Sequence, residues 1–272
     1  MYNDFLLDTF RENQEKDAIV WNNNIYSYGE LLNKVEHWSA FLKSEAISKS
    51  AVVSLEADFS PDAIALLLAL IANNSIIVPL TTSVEANKPE FREVAQVEVV
   101  ITLDGNNEVT YQTIDAVPTH PIITRLKQEK RPGLVLFSSG STGKSKAAVH
   151  DFVPLLEKFK VPRHTYRTIT FLLFDHIGGV NTLLYNLSNV GCVITVQNRA
   201  PEDVCQAIER HKVELLPTSP TFLNLLLVSE AYKHYDLSSL KMATYGTEMM
   251  PESTLQRCRT ALPDVRLLQT YG

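Results

Sequence analysis

Residues Leu134–Ala148 read LVLFSSGSTGKSKAA. A β-forming apolar run, Leu134–Phe137, passes directly into small residues, Ser138–Gly143, and then to Lys144 and Lys146. Gly140 and Gly143 permit backbone angles that bring N–H groups close to an anion. The hydroxyls of Ser138, Ser139, Ser141 and Thr142 add donors, and Lys144 or Lys146 adds positive charge. The segment therefore reads as a phosphate-holding loop. A flexible Ser/Gly surface turn is the competing reading, weakened by the strand placed immediately before it. The pattern G-x-x-x-x-G-K-[ST] fits Gly143-Lys144-Ser145 but fails at its other end, where Ser138 stands for the first glycine. Pro154 also interrupts the segment that should be helical, so a P-loop NTPase is disfavoured.

Towards the N-terminus, helical and strand patterns alternate. Tyr28–Leu42 carries Leu31, Leu32, Val35, Trp38, Ala40 and Phe41 at helical spacing. Ala51–Leu55 reads as a strand, Pro61–Ala72 as a helix, Ile76–Leu80 as a strand, Pro89–Gln96 as a helix and Glu98–Leu103 as a strand. Strands joined by helices lie parallel in one sheet. Gly105–Pro132 is polar and proline-containing and reads as a long loop with at most a short strand. The boundary between two α/β subdomains is expected there, giving residues 1–132 and 133–272. Further strands are expected at Gly133–Phe137, Thr168–Phe174, Cys192–Thr195, Glu214–Pro217, Lys241–Tyr245 and Val265–Thr270. Helices are expected near Phe152–Phe159 and Val180–Leu187 and over Pro201–His211, Pro220–Ser229 and Pro251–Ala261. The fold class predicted is α/β, with two stacked, mainly parallel sheets and flanking helices.

The 272 residues carry 25 Lys and Arg against 31 Asp and Glu, a net charge of −6. Such a field repels nucleic-acid backbones and anionic lipid. The densest basic stretch, Lys127–Arg131, contains Glu129 and precedes Pro132, as a solvated connector would. With 45% hydrophobic residues the chain is neither disordered nor a small stapled scaffold. Cys192, Cys205 and Cys258 are widely spaced, which suggests neither a zinc site nor a disulfide framework and fits a reducing compartment. Asp4 and Asp8 stand where a signal peptide would be basic. The longest apolar run, Ala63–Ala72, is short of the roughly 18 residues a membrane span requires. A cytoplasmic protein with no nucleic-acid partner, no metal ligand set and no membrane span is expected; oligomeric state leaves no trace in the sequence.

The loop resembles the phosphate-binding segment of the adenylate-forming superfamily, which includes acyl-CoA synthetases, aryl-acid ligases, luciferases and the adenylation domains of peptide synthetases. The family pattern aromatic-[ST]-S-G-[ST]-T-G-x-P-K-G is matched by Phe137–Ala147, except that Ser145 stands for the proline and Ala147 for the last glycine. Tyr26–Leu31 is similar to the family's T-Y-x-E-L segment, and Ala69–Pro79 to A-x-x-x-A-G-x-x-x-V-P with Asn74 for the glycine. Phe171–Leu184 resembles the P-x-F-H-x-x-G segment of acyl-CoA synthetases, and Leu237–Leu240 the D-L-S-S-L lead into the adenine-binding turn. Tyr245–Met250 resembles that turn, and Leu267–Gly272 the opening of Y-G-x-T-E. The similarity covers nearly the whole chain. It implies the large N-terminal domain of such an enzyme, truncated before its barrel subdomain is complete and before the small C-terminal domain.

The resemblance implies a two-step reaction. A small carboxylic acid attacks the α-phosphate of ATP and expels pyrophosphate, and the acyl group of the acyl-adenylate then passes to a thiol of CoA or of an acyl carrier protein. By the same resemblance Ser138, Ser139, Gly140, Ser141, Thr142, Gly143 and Lys146 would hold phosphates. Gly246, Thr247, Glu248, Thr270, Tyr271 and Gly272 would hold adenine. Phe174, Asp175, His176, Gly178 and Gly179 would form the acyl pocket, with His176 as its gate; a partly buried histidine at a strand end is the alternative. Phe174-Asp175 also resembles the pair that holds the substrate ammonium in peptide-synthetase domains, so an amino-acid substrate competes with an acyl or aryl acid. The acyl or aryl reading is favoured because His176-Ile177-Gly178-Gly179 continues the synthetase pattern. ATP and Mg2+ are the implied cofactors. The magnesium-binding glutamate, the ribose-binding aspartate and the adenylation lysine are expected past Gly272, so no catalytic residue is assignable within the chain. The strand pattern of Val265–Gly272 runs to the last residue, and the chain is expected to be part of a longer enzyme, incompetent alone for full turnover. A truncated, non-catalytic nucleotide- or acyl-binding module is the other reading.

Overall fold

Helix α1 (Asp4–Glu12), which buries Leu6, Leu7 and Phe10, precedes a hairpin of β1 (Asp17–Trp21) and β2 (Asn24–Ser27). Asn22 and Asn23 make its two-residue turn with φ of 49° and 63°, the left-handed angles of a type I′ turn that Asn tolerates. The computed structural model describes residues 1–138, 145–246 and 248–270. The chain forms two units. Unit 1 holds Met1–Lys16, Ser27–Pro162 and Leu173–Val180, and unit 2 holds Asp17–Tyr26, Arg163–Leu172 and Asn181–Gly272.

In unit 1, α2 (Tyr28–Ser44) opens in a capping box, Ser27 Oγ accepting from the Glu30 N–H and Glu30 Oε2 from the Ser27 N–H. There follow β3 (Val52–Glu56), α3 (Pro61–Ala72), β4 (Ile76–Leu80), α4 (Lys88–Val94), β5 (Val99–Leu103), β6 (Val109–Thr113), α5 (Pro121–Glu129), β7 (Gly133–Ser138), β8 (Lys146–Asp151) and α6 (Phe152–Glu157). Helix α3 is apolar all round, and Ala63–Ile71 are all buried, as such a helix requires. Among the described residues no helix is long and apolar enough to cross a membrane. The C-terminal end of α3 closes in a Schellman arrangement, the Asn74 N–H donating to Ile71 O and the Ser75 N–H to Leu70 O, with Asn74 at φ 61°. The six-stranded sheet runs β6-β5-β3-β4-β7-β8, parallel through β5, β3, β4 and β7 and antiparallel at both edges.

Unit 2 contains β9 (Arg167–Ile169), β10 (Cys192–Ile194), α8 (Pro201–His211), β11 (Leu215–Thr218), α9 (Pro220–Ser229), β12 (Met242–Tyr245), α10 (Glu252–Ala261) and β13 (Arg266–Gln269). Helix α7 (Ile177–Ser188) begins in unit 1 and continues into unit 2. The seven-stranded sheet runs β13-β12-β11-β9-β10-β1-β2, with parallel pairing from β13 to β1. Val20, Ile169, Ile194, Ile208, Leu216 and Phe222 belong to its core. All three cysteines are buried and free, and burial pushes the Cys192 and Cys205 thiols up to about 12, so both stay protonated and unreactive at neutral pH.

Two mainly parallel sheets with flanking helices are the predicted fold class. Several details differ from expectation. Gly105–Pro132 contains β6 and also α5, a helix hidden because Ile123 and Leu126 are its buried residues in an otherwise polar stretch. The subdomain boundary expected after Pro132 falls inside unit 1: Gly133 and Leu134 pair with Ile76 and Ile77, so the chain beyond Pro132 completes the first sheet. The strand expected over Thr168–Phe174 stops at Ile169, one residue before the Thr170 N–H makes its last bond to Ile194 O.

At the C-terminal end of β3, Glu56 is 2% exposed and bonded by Arg92 Nε at 2.6 Å and Nη2 at 2.7 Å, by Ser54 Oγ at 2.8 Å and, at 3.7 Å, by Lys88 Nζ. Burial alone would raise its pKa, but the Arg92 and Ser54 hydrogen bonds and the two cations hold it below the ordinary 4.5. Replacing Glu56 by Ala leaves half-buried Arg92 without its carboxylate partner and buried Lys88 with Glu85 alone, and is expected to cost about 2–4 kcal/mol in urea denaturation. In the wild-type chain this contribution is complete above the unfolded carboxyl pKa and is lost as pH falls from about 4.5 through the lower folded value, a loss that the Glu56→Ala chain will not show.

Candidate functional site

The β7–β8 hairpin carries the predicted phosphate loop. Its register sets Ser138 opposite Lys146 and Phe137 opposite Ala147, so two of the expected phosphate residues are cross-strand partners, both exposed. Ser139, Gly140, Ser141, Thr142, Gly143 and Lys144 lie outside the described residues. On the incoming side, Phe137 stacks on Phe91 of α4 with ring centroids 3.9 Å apart and planes 2° apart. On the outgoing side, the Ser145 N–H donates to Glu90 Oε1, also of α4, at 3.2 Å. Helix α4 is itself tied to β3 through Arg92 and Lys88 on Glu56.

The predicted acyl-pocket residues fall together in unit 1, where Phe174 and Asp175 are buried and His176 is exposed. Phe174 packs edge-on against Phe59, centroids 4.9 Å apart. Asp175 Oδ2 accepts from Thr81 Oγ1 at 2.5 Å and from Ser83 Oγ at 3.3 Å, which pins it to the segment leaving β4. Its other oxygen, Oδ1, accepts no hydrogen bond among the described residues and faces His176 Nε2 at 3.7 Å. The peptide turns into α7 here, the Gly179 N–H donating to His176 O at 3.0 Å and the Val180 N–H at 3.2 Å. Gly178 and Gly179 thus lie in the first turn of α7.

The predicted adenine residues that are described lie in unit 2, at the ends of β12 and β13. The Thr270 N–H donates to Tyr245 O at 2.8 Å, extending the ladder by one bond beyond the last paired residues. Gly246 follows Tyr245; a Cβ there would lie 2.8 Å from Thr270 O and 3.0 Å from Thr270 Oγ1. Glu248 turns back to the start of α9, its carboxylate accepting from Thr221 Oγ1 at 2.8 Å and from the Thr221 N–H at 3.1 Å. Those two bonds hold its pKa below the ordinary carboxylate value. Thr247, Tyr271 and Gly272 lie outside the described residues. Elsewhere in unit 2 a cavity of about 190 Å3 is lined by Asn22, Asn23, Gln197, Arg210 and His211 among others, and by none of the expected site residues.

Several side chains that hold these segments were not anticipated. Glu90, Thr81 with Ser83, and Thr221 contact Ser145, Asp175 and Glu248 across separations such as 55, 94 and 27 positions, where no local pattern links them.

Two mainly parallel sheets with flanking helices, one of them with a Ser/Gly-rich sequence following the strand β7, define a class, and the comparison with known proteins agrees. The chain belongs to the AMP-binding enzyme family, whose model matches residues 7–272, and so to the adenylate-forming superfamily. It is 24% identical to indoleacetate–CoA ligase of Aromatoleum aromaticum, over 94% of this chain and 56% of that one. It is likewise 24% identical to a dimodular nonribosomal peptide synthase of Bacillus subtilis, over 89% of this chain and 11% of that one. The chain spans about half the length of the first two curated relatives it matches, 56% and 49%. Among solved structures, the Klebsiella oxytoca NpsA N-terminal subdomain in complex with 3-hydroxyanthranilyl-AMSN superposes with a TM-score of 0.81 at 15% identity, covering 99% of this chain and 71% of that one. That likeness places the fold with the N-terminal domains of adenylate-forming enzymes.

Gly246 is where the β12 turn has no room for a side chain. Gly246→Ala is expected to lower stability by about 1–3 kcal/mol through overpacking against Thr270, read as a lowered thermal midpoint. An unchanged melt would show that the end of β13 yields freely.

Proposed function

We propose that this chain binds ATP and forms part of a ligase that joins a small carboxylic acid to AMP, releases pyrophosphate, and passes the acyl group to a thiol of CoA or of a carrier protein. The observation that carries the reading is the β7–β8 hairpin, with Ser138 and Lys146 face to face at the base of a segment rich in hydroxyl and backbone donors. In such a reaction negative charge gathers on the transferred and leaving phosphates. Donors and cations fixed beforehand stabilise it without reorganising, which is positioning and electrostatics more than proton transfer. Lys146 supplies the cation, and Ser138, Ser139, Gly140, Ser141, Thr142 and Gly143 supply donors.

For adenine the proposal keeps Gly246, Thr247, Glu248, Thr270, Tyr271 and Gly272. The Glu248 carboxylate is already engaged by Thr221, so its part is to fix the turn and leave backbone groups for the base. Phe174, Asp175, His176, Gly178 and Gly179 are proposed to receive the acid, with His176, the exposed member, as the gate. The aryl acid and CoA in the name of the Aromatoleum relative support an acyl or aryl acid and CoA. A second reading, an amino acid, is favoured by Oδ1 of buried Asp175, which accepts no hydrogen bond among the described residues and suits an ammonium, and by the peptide-synthase relative. No group of three or more His, Cys, Asp or Glu among the described residues could hold a metal ion. Mg2+ is therefore proposed only as the ion that accompanies the phosphates of ATP, and no step is assigned to it. The buried free thiols support a reducing, cytoplasmic setting.

Calorimetric titration tests the loop directly. The chain is expected to bind ATP and pyrophosphate, and Lys146→Ala to raise both dissociation constants roughly tenfold, the worth of one charge-assisted contact. Equal affinity in the variant would remove the loop from nucleotide binding.

A further inference from the structure

We propose that Glu90 is a positioning residue for the phosphate loop, clamping its outgoing limb through the Ser145 amide; this rests on the nucleotide reading of that loop. Helix α4 touches both limbs of the β7–β8 hairpin. Phe91 stacks on Phe137 at 3.9 Å on the incoming strand, and Glu90 Oε1 takes the Ser145 N–H at 3.2 Å on the outgoing one. The helix does not float: Arg92 grips the buried Glu56 at 2.6 Å and 2.7 Å, and Lys88 lies 3.7 Å from the same carboxylate. Consecutive residues 90, 91 and 92 therefore link the outgoing limb, the incoming limb and the end of β3.

The identity of residue 145 makes this possible. A proline would fix φ near −65° and carry no N–H, so it could not bond Glu90. Serine leaves φ free and gives a donor, and Glu90 meets that donor with a charged acceptor. Restriction by a ring is replaced with restriction by a hydrogen bond, placed one residue before Lys146. Because Glu90 is exposed and its own side chain adds nothing to the core, it can be changed without dismantling the sheet.

The test combines hydrogen exchange at the Ser145 amide, followed by NMR on the ligand-free chain, with calorimetric titration of pyrophosphate. Glu90→Ala is expected to speed Ser145 exchange and raise the pyrophosphate dissociation constant, each by about three- to tenfold. Glu90→Gln keeps an acceptor oxygen and should stay within about twofold of wild type. In a Ser145→Pro background, Glu90→Ala should add no further loss. The clamp is overturned if exchange at Ser145 is unchanged in Glu90→Ala, if Glu90→Gln weakens binding as much as Glu90→Ala, or if the loss persists undiminished beside Ser145→Pro. A wild-type chain that binds no pyrophosphate would sink the nucleotide reading instead, while exchange at Ser145 would still decide the clamp.

Discussion

The antiparallel closure of β8 onto β7 is the constraint on which the proposed phosphate site of unit 1 depends. Strand β7 pairs in parallel with β4 at its start, through Gly133 and Leu134, and antiparallel with β8 along its whole length, so its carboxyl end at Ser138 is held by β8. Parallel sheets deliver their loops at the carboxyl ends of strands, where ligands of α/β proteins bind. A loop tethered at one end would have to lose its closure entropy each time it gathered around an anion. With Ser138 opposite Lys146, the two ends stand one strand spacing apart, about 4.8 Å, before any ligand arrives.

Within each unit, carboxylates organise the segments of the candidate site, and each is assigned by its partners. Glu56 is buried and would be costly alone, but the bidentate Arg92 contact satisfies both of its oxygens and anchors α4. Asp175 uses one oxygen on Thr81 and Ser83, which fixes the Phe174–His176 segment to the end of β4 and leaves the second oxygen facing the exposed imidazole. Glu248 in unit 2 accepts an N–H and a hydroxyl at the start of α9, where a helix welcomes negative charge. Three carboxylates thus anchor a helix to a strand, a segment to the end of β4, and a turn to the start of a helix.

Much of the fold was legible because its signals are local. Pro61 and the apolar run Ala63–Ala72 marked α3 to the residue, and the apolar runs at Ala51–Leu55 and Ile76–Leu80 marked parallel strands that pair as β3 and β4. What escaped had weak burial or a weak turn signal. Strand β8, KAAVHD, has no buried residue, and nothing in its composition separates it from a loop until it pairs with β7. Helix α5 carries one buried pair, and the β1–β2 hairpin depends on a turn whose Asn-Asn signal is modest. The candidate site could be proposed from the sequence as a set of segments in order, since glycine, hydroxyl and lysine spacing is a property of the chain. The side chains that fix those segments were not, because Glu90, Thr81 and Thr221 come from distant elements that only the sheets bring close.

Departures from the family pattern show the same division in a sharper form. Asn74 stands for a glycine, yet its φ of 61° is the left-handed angle a Schellman cap needs, and asparagine reaches it at little cost, so the geometry survives the change of letter. Ala147 stands for another glycine, and as a strand residue paired with Phe137 it favours the ladder that a glycine would weaken. Ser145 differs from both. It does not imitate the residue it replaces: it gives up a fixed φ and gains an N–H, and that exchange is sound only because a carboxylate 55 positions away is there to accept it. A substitution judged by its own backbone angle can be read from the sequence with a knowledge of caps and strands. One judged by a partner becomes readable only when the fold has brought that partner within hydrogen-bonding distance.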